Sequence, residues 1–120
     1  MSNIARFATT EPTVCAVCRR RAMAIGYAPK QRAEVIWLCD DHGCHAAAKG
    51  LYKMPTETLD AFEIGAVLEA GTQAGSYLEE IGKTDLAALD ASEWRNFLRR
   101  IIVGYERALR RKILDNEAPF

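Results

Sequence analysis

Apolar residues recur at helical spacing over two long stretches in the second half of the chain. Between residues 58 and 81 one stripe runs Leu59, Phe62, Ala66, Ala70, Ala74, Tyr77 and Ile81. A second stripe holds Val67, Leu68, Gly71, Gly75 and Leu78. Repeats of three and four residues put each set on one side of a helix, so the pattern predicts a helix over 58–81, stopped by Gly82. Its apolar surface is wider than one helical neighbour needs. Gly65, Gly71 and Gly75 weaken such a helix by roughly 1 kcal/mol each relative to alanine, and their expected use is a bend or a close helix–helix approach. The second stretch, 91–113, carries Trp94, Phe97, Leu98, Ile101, Tyr105, Ala108 and Leu109 at the same period. Asp90 and Glu93 have the spacing of a capping box at its start. The connection between the two stretches turns Leu86 and Leu89 inward. Two helices of this length on a short connection are expected to fold back as an antiparallel hairpin.

The first half has a different rhythm. Residues 22–27 and 34–38 read as two short strands, the second rich in β-branched and aromatic side chains (Val35, Ile36, Trp37), with residues 28–33 as their turn. A shorter helix follows from Cys44 to Met54-Pro55, with Ala47, Ala48, Leu51 and Tyr52 inside, Lys49 and Lys53 outside, and Asp40 and Asp41 as N-terminal caps. Residues 1–14 lack periodicity and read as a flexible arm. The expected organisation is an arm over 1–14, a zinc-binding module over 15–54 and a helical region over 55–120. The fold class is mainly α: a small β-hairpin zinc module of treble-clef or zinc-ribbon type, followed by an antiparallel helical hairpin.

The chemistry lies between the two strands' outer ends. All four cysteines fall in one window, as Cys15-Ala-Val-Cys18 and Cys39-Asp-Asp-His42-Gly-Cys44-His45. Two thiols separated by two residues grip one metal ion, and a second cluster closes the tetrahedron. Metal binding would let so small a hairpin fold without a core of its own. Cys15, Cys18 and Cys39 are three expected ligands, and the fourth is Cys44, His42 or His45. An all-thiolate set gives the soft, closed coordination that structural Zn2+ favours, which ranks Cys44 first and His42 as its competitor.

Charge adds a second theme. Equal numbers of acids and bases hide a strong asymmetry. Residues 1–53 carry eight Lys/Arg against four Asp/Glu, residues 54–92 only Lys83 against eight acids, and residues 93–120 seven basic residues against four acids. Arg19, Arg20, Arg21, Lys30 and Arg32 surround the hairpin and are candidate nucleic-acid contacts, together with the arginine-rich last helix. No stretch approaches the ~20 apolar residues of a membrane span, and the N-terminus has no signal-peptide pattern. A cytoplasmic location follows as an expectation, and there clustered cysteines bind metal more often than they form disulfides.

Catalysis finds little support. Asp41-His42 invites comparison with a metal-dependent nuclease of the His-Asn-His type, but no further Asn and His follow on the next helix. No serine or cysteine has a separate base to pair with. The expectation is a non-enzymatic binder of a macromolecular partner, by protein contact or directly on nucleic acid. The wide apolar stripe adds a possible homodimer.

Cys-Ala-Val-Cys, Trp-Leu-Cys-Asp-Asp, Tyr77-Leu-Glu-Glu-Ile-Gly-Lys-Thr-Asp-Leu, the Glu93-Trp94 pair, Gly104-Tyr105 and the ending Glu117-Ala-Pro-Phe together resemble an uncharacterised family of small proteins from phages and prophages of proteobacteria. The resemblance covers 15–120. In that family the second cluster looks like Cys-Asp-Asp-Pro-x-Cys, which maps onto Cys39 and Cys44 and puts a proline at His42. The resemblance thus implies Cys44 as a ligand and a phage context, with a host or phage protein as partner. It implies no reaction.

Overall fold

A computed structural model of the chain describes residues 13–116. Strands β1 (Ile25–Tyr27) and β2 (Ile36–Leu38) pair antiparallel, with Ile25 opposite Leu38 and Tyr27 opposite Ile36. Three helices follow: α1 (His42–Lys53), α2 (Thr56–Ile81) and α3 (Ala91–Asn116), with one 3-10 turn at Leu86–Ala88. The strands are shorter than their apolar pattern suggests. Residues 22–24 leave the ladder because Ala24 takes a left-handed φ of 60°, although Met23 still donates to the Leu38 carbonyl at 2.9 Å. Of the expected arm, residues 1–12 lie outside the described residues; Val14 pairs in an isolated bridge with Arg21. The end of the family-like sequence, 117–120, also lies outside them.

Local chemistry explains the helix boundaries. Asp41 caps α1 by accepting from the Gly43 amide at 2.7 Å. The α1 helix ends where Pro55 denies it a further donor, and α2 begins directly. Gly82 ends α2 in the left-handed region (φ 68°), while the Lys83 amide reaches back to the Leu78 carbonyl at 3.1 Å. Only a residue without a Cβ takes that conformation freely. At the start of α3 the capping box is complete: Glu93 N–H donates to Asp90 at 2.8 Å, and the Asp90 amide donates to Glu93 at 3.0 Å. Lys83 Nζ joins it at 2.6 Å from Glu93.

Helices α2 and α3 run antiparallel and make the most extensive contact in the fold. Their direction is fixed by the ion pairs Glu80–Arg100 near one end and Glu69–Arg111 further along. They approach closely at Gly104, where a Cβ would stand 3.2 Å from the Ala70 Cα. Gly71 and Gly75, expected to permit such an approach, face open space instead. Helix α1 packs on the C-terminal half of α3, so one core joins Cys15, Val17, Ile36 and Leu51 to Leu59, Leu109 and Ile113. Tyr52 ties α1 to the hairpin by donating to the Glu34 carbonyl at 2.8 Å and meeting Tyr27 edge-on.

The N-terminal half of α3 is more open than its period suggests. Trp94 and Leu98 are 44% and 39% exposed, and Leu86 of the connecting turn is also exposed. Ile64, Val67 and Leu68 of α2 and Ile102 of α3 are exposed as well. The hairpin buries one side of each helix against the other, and the cysteine module covers α3 only toward its C-terminus.

Candidate metal centre

Three local structures bring the cysteines together. Cys15 and Cys18 sit on a tight turn in which the Cys15 amide donates to the Arg20 carbonyl at 2.6 Å and the Arg19 amide to the Cys15 carbonyl at 3.0 Å. Closing that turn puts Arg19 at φ 69°, where most side chains crowd the backbone. Cys39 follows β2 directly, and the Ala16 amide anchors the first turn to that strand through the Trp37 carbonyl at 2.9 Å. Cys44 lies in the first turn of α1, aimed by the Asp41 cap.

The four sulfurs all lie within 4.8 Å of one another, and all four residues are buried. Cys18 Sγ and Cys39 Sγ are 3.7 Å apart. Four thiolates at a zinc–sulfur bond of about 2.3 Å form a tetrahedron with edges of about 3.8 Å. A disulfide requires about 2.0 Å, and all four cysteines are free. The donor set therefore fits one tetrahedral metal ion. His42 stands on the exposed side of α1's first residue. His45 donates from Nε2 to the Cys39 carbonyl at 2.6 Å, which closes the second loop. Neither imidazole belongs to the cluster.

Crowding perturbs Cys15, Cys18 and Cys44 strongly. Hydrogen bonds from Cys18 and Cys44 hold the Cys15 thiol far below its ordinary value. The same bonding to Cys15 pushes Cys18 up to about 11. Cys44 is driven up well beyond the ordinary range by its bonds to Cys15 and Cys18. These hydrogen bonds favour the thiolate at Cys15 over Cys18 and Cys44. A divalent cation would replace the thiol protons.

A shell of charge surrounds the sulfurs. Arg110 of α3 donates from Nη1 to Cys44 Sγ at 3.5 Å, and the Asp41 amide donates to Cys39 Sγ at 3.5 Å. Glu106, only 4% exposed, lies one helical turn before Arg110 and 3.9 Å from its guanidinium. Its Oε1 is 3.3 Å from Arg20 Nε, beside the first cysteine turn, and Glu106 raises the Arg20 pKa above its ordinary value. Four thiolates around a divalent cation leave two negative charges, which Arg20 and Arg110 flank. Glu106 links the two arginines across the chain.

The remaining candidates separate. Arg19 and Arg20 line an apolar groove with Val67, Ile101 and Ile102, whereas Lys30 and Arg32 belong to the exposed hairpin turn. The model of a family of unknown function, DUF6511, matches residues 57–120. The chain belongs to the DUF6511 family. No curated protein and no solved structure matches it. The matched part of this DUF6511 protein is the α2–α3 hairpin, and its four cysteines lie before the match. Among its described residues no helix is long and apolar enough to cross a membrane.

Proposed function

We propose that this DUF6511 protein is a non-catalytic, zinc-stabilised accessory protein of a phage or prophage, which acts by docking on another protein. Cys15, Cys18, Cys39 and Cys44 hold the zinc, and an all-cysteine set leaves no open position for a substrate, so the ion's part is structural. Zinc then fixes the hairpin and α1 against α3, and Glu106 and Arg110 complete the lock. A small domain gains rigidity that its hydrophobic core alone would not supply.

The observation that carries the docking is the open side of the hairpin. Ile64 and Leu68 are 65% and 69% exposed, Val67 and Ile102 are exposed in one groove, and Leu98 and Trp94 follow Ile102 back along α3. That groove, of about 380 Å³, runs between the first cysteine turn and the two helices. Exposed apolar side chains of this size are characteristic of protein contact sites, and two helices side by side suit a third helix laid along them. The partner is a host or phage protein, or a second copy of this chain.

Capture of binding proteins from host lysate after nuclease treatment tests the reading. The intact chain should retain a partner that a Leu68→Glu, Ile102→Glu variant loses while staying folded and metal-loaded. Retention that vanishes with nuclease, or that both forms share equally, would refute it.

A further inference from the structure

The side of α3 turned away from the apolar patch has a different chemistry. Two adjoining grooves of about 390 and 480 Å³ share Arg100, Val103 and Arg107. Arg111 and Gln73 extend the first, and Arg99 and Asn96 extend the second. We propose that this track binds the phosphodiester backbone of nucleic acid. The proposal is independent of the protein-docking side and of the zinc's identity.

Four features favour that occupant. All four cations are arginines, whose planar fork bonds two phosphate oxygens at once. They recur along one helix from Arg99 to Arg111, about 18 Å at the α-helical rise. That length spans about five successive phosphates of one strand at their duplex spacing. Arg99 and Arg107 are exposed and have no ion-pair partner among the described residues, so their charge is available to a ligand. Arg100 is held in place, with its guanidinium 5.1 Å from the centre of the Tyr77 ring and its Nη2 3.3 Å from Glu80. Arg111 is similarly aimed by Glu69 at 2.6 Å.

The opposing charge is too sparse to cancel the track, because among the described residues Glu69 and Glu80 are the only carboxylates ion-paired with these arginines. Gln73 and Asn96 supply neutral amides of the kind that contact sugars and base edges. The long, open shape suits a chain better than a single small anion, which needs donors converging on one point. The hairpin arginines are less suited. Arg20 is engaged by buried Glu106, and Arg19 sits on the apolar side.

The test is fluorescence anisotropy of a labelled oligonucleotide of about 20 residues, single-stranded and duplex, with the full metal-loaded chain. Between about 50 and 200 mM salt, log K should fall with log salt with a slope of about −3 to −4, as four neutralised phosphates require. Arg99→Gln with Arg107→Gln should reduce that slope by about 2 while metal content and helicity stay unchanged. Absence of binding at about 50 mM salt would overturn the proposal. So would unchanged binding by that double variant, or loss of binding on replacing Arg19, Arg21 and Arg32 instead. Equal binding of labelled polyglutamate would make the track a site for acidic protein, and would likewise overturn it.

Discussion

The Arg110 guanidinium donates to Cys44 Sγ at 3.5 Å, joining the last helix to the first turn of α1. The two residues are 66 positions apart in the chain. This contact makes the cysteine cluster part of the main core, and the stability of the helices and of the metal site should rise and fall together.

Replacing Arg110 with methionine keeps much of its apolar stem and removes its charge. Glu106 is then left facing Arg20 alone, whose side chain is half exposed. A cost of about 2–3 kcal/mol is expected, below the range for a fully buried pair because one partner remains. Denaturant unfolding of the metal-loaded protein measures it. The lost N–H to sulfur bond should also speed metal transfer to a chelator by about tenfold or more.

Metal content separates the candidate ligands. The purified, reduced protein should contain one zinc per chain. Cys44→Ser should lower metal affinity sharply, whereas His42→Ala should leave it unchanged, because His42 lies on the exposed surface. Elemental analysis and competition with a chromogenic chelator decide the matter, and the opposite ranking would assign the fourth position to histidine.

Acidification should release the metal. Hydrogen bonding to Cys15 pushes the Cys18 thiol up to about 11, and Cys44 is pushed upward as well. Each ion bound must therefore displace protons, so affinity increases with pH and decreases as pH falls below neutral. Proton release on titrating the metal-free protein at fixed pH gives the number displaced.

Two glycines should respond in opposite directions. Gly71 has nothing within 4 Å of where a Cβ would stand, so Gly71→Ala should stabilise α2 by about 0.5–1 kcal/mol. Gly104→Leu would force the helices apart where Ala70 Cα lies 3.2 Å from a Cβ, at a cost of about 1–3 kcal/mol. Thermal unfolding of the two variants against the parent reads both signs.

The helices and the cysteine cluster were legible because each rests on local spacing. Period, capping box and Gly82 placed α2 and α3 within a few residues of Thr56–Ile81 and Ala91–Asn116. The spacing of Cys15, Cys18 and Cys39 marks three sulfurs able to meet, and ranks Cys44 ahead of His42 and His45 for the fourth place. The shell around them was not legible, since Arg20, Glu106 and Arg110 look like ordinary surface charges on an arginine-rich sequence. One signal was present: Glu106 stands three and seven residues before Leu109 and Ile113, on the buried side of α3. The roles of the glycines are hidden in the sequence for a related reason. Spacing puts Gly71 and Gly75 on one stripe, but only the long-range packing of Ala70 against Gly104 decides which side of α2 is covered. Trp94 and Leu98 obey the helical period yet remain exposed, because the cysteine module covers only the other end of α3.

The order of synthesis gives the contact between Cys44 and Arg110 a further meaning. Domains fold as they emerge, N-terminal parts first. All four thiols leave the ribosome long before α3 does, so the nascent chain can exchange its ion while the site is still half built. Arrival of Glu106 and Arg110 closes it last. For an ion held by the four cysteines, selection would then belong to the growing chain and retention to the finished one.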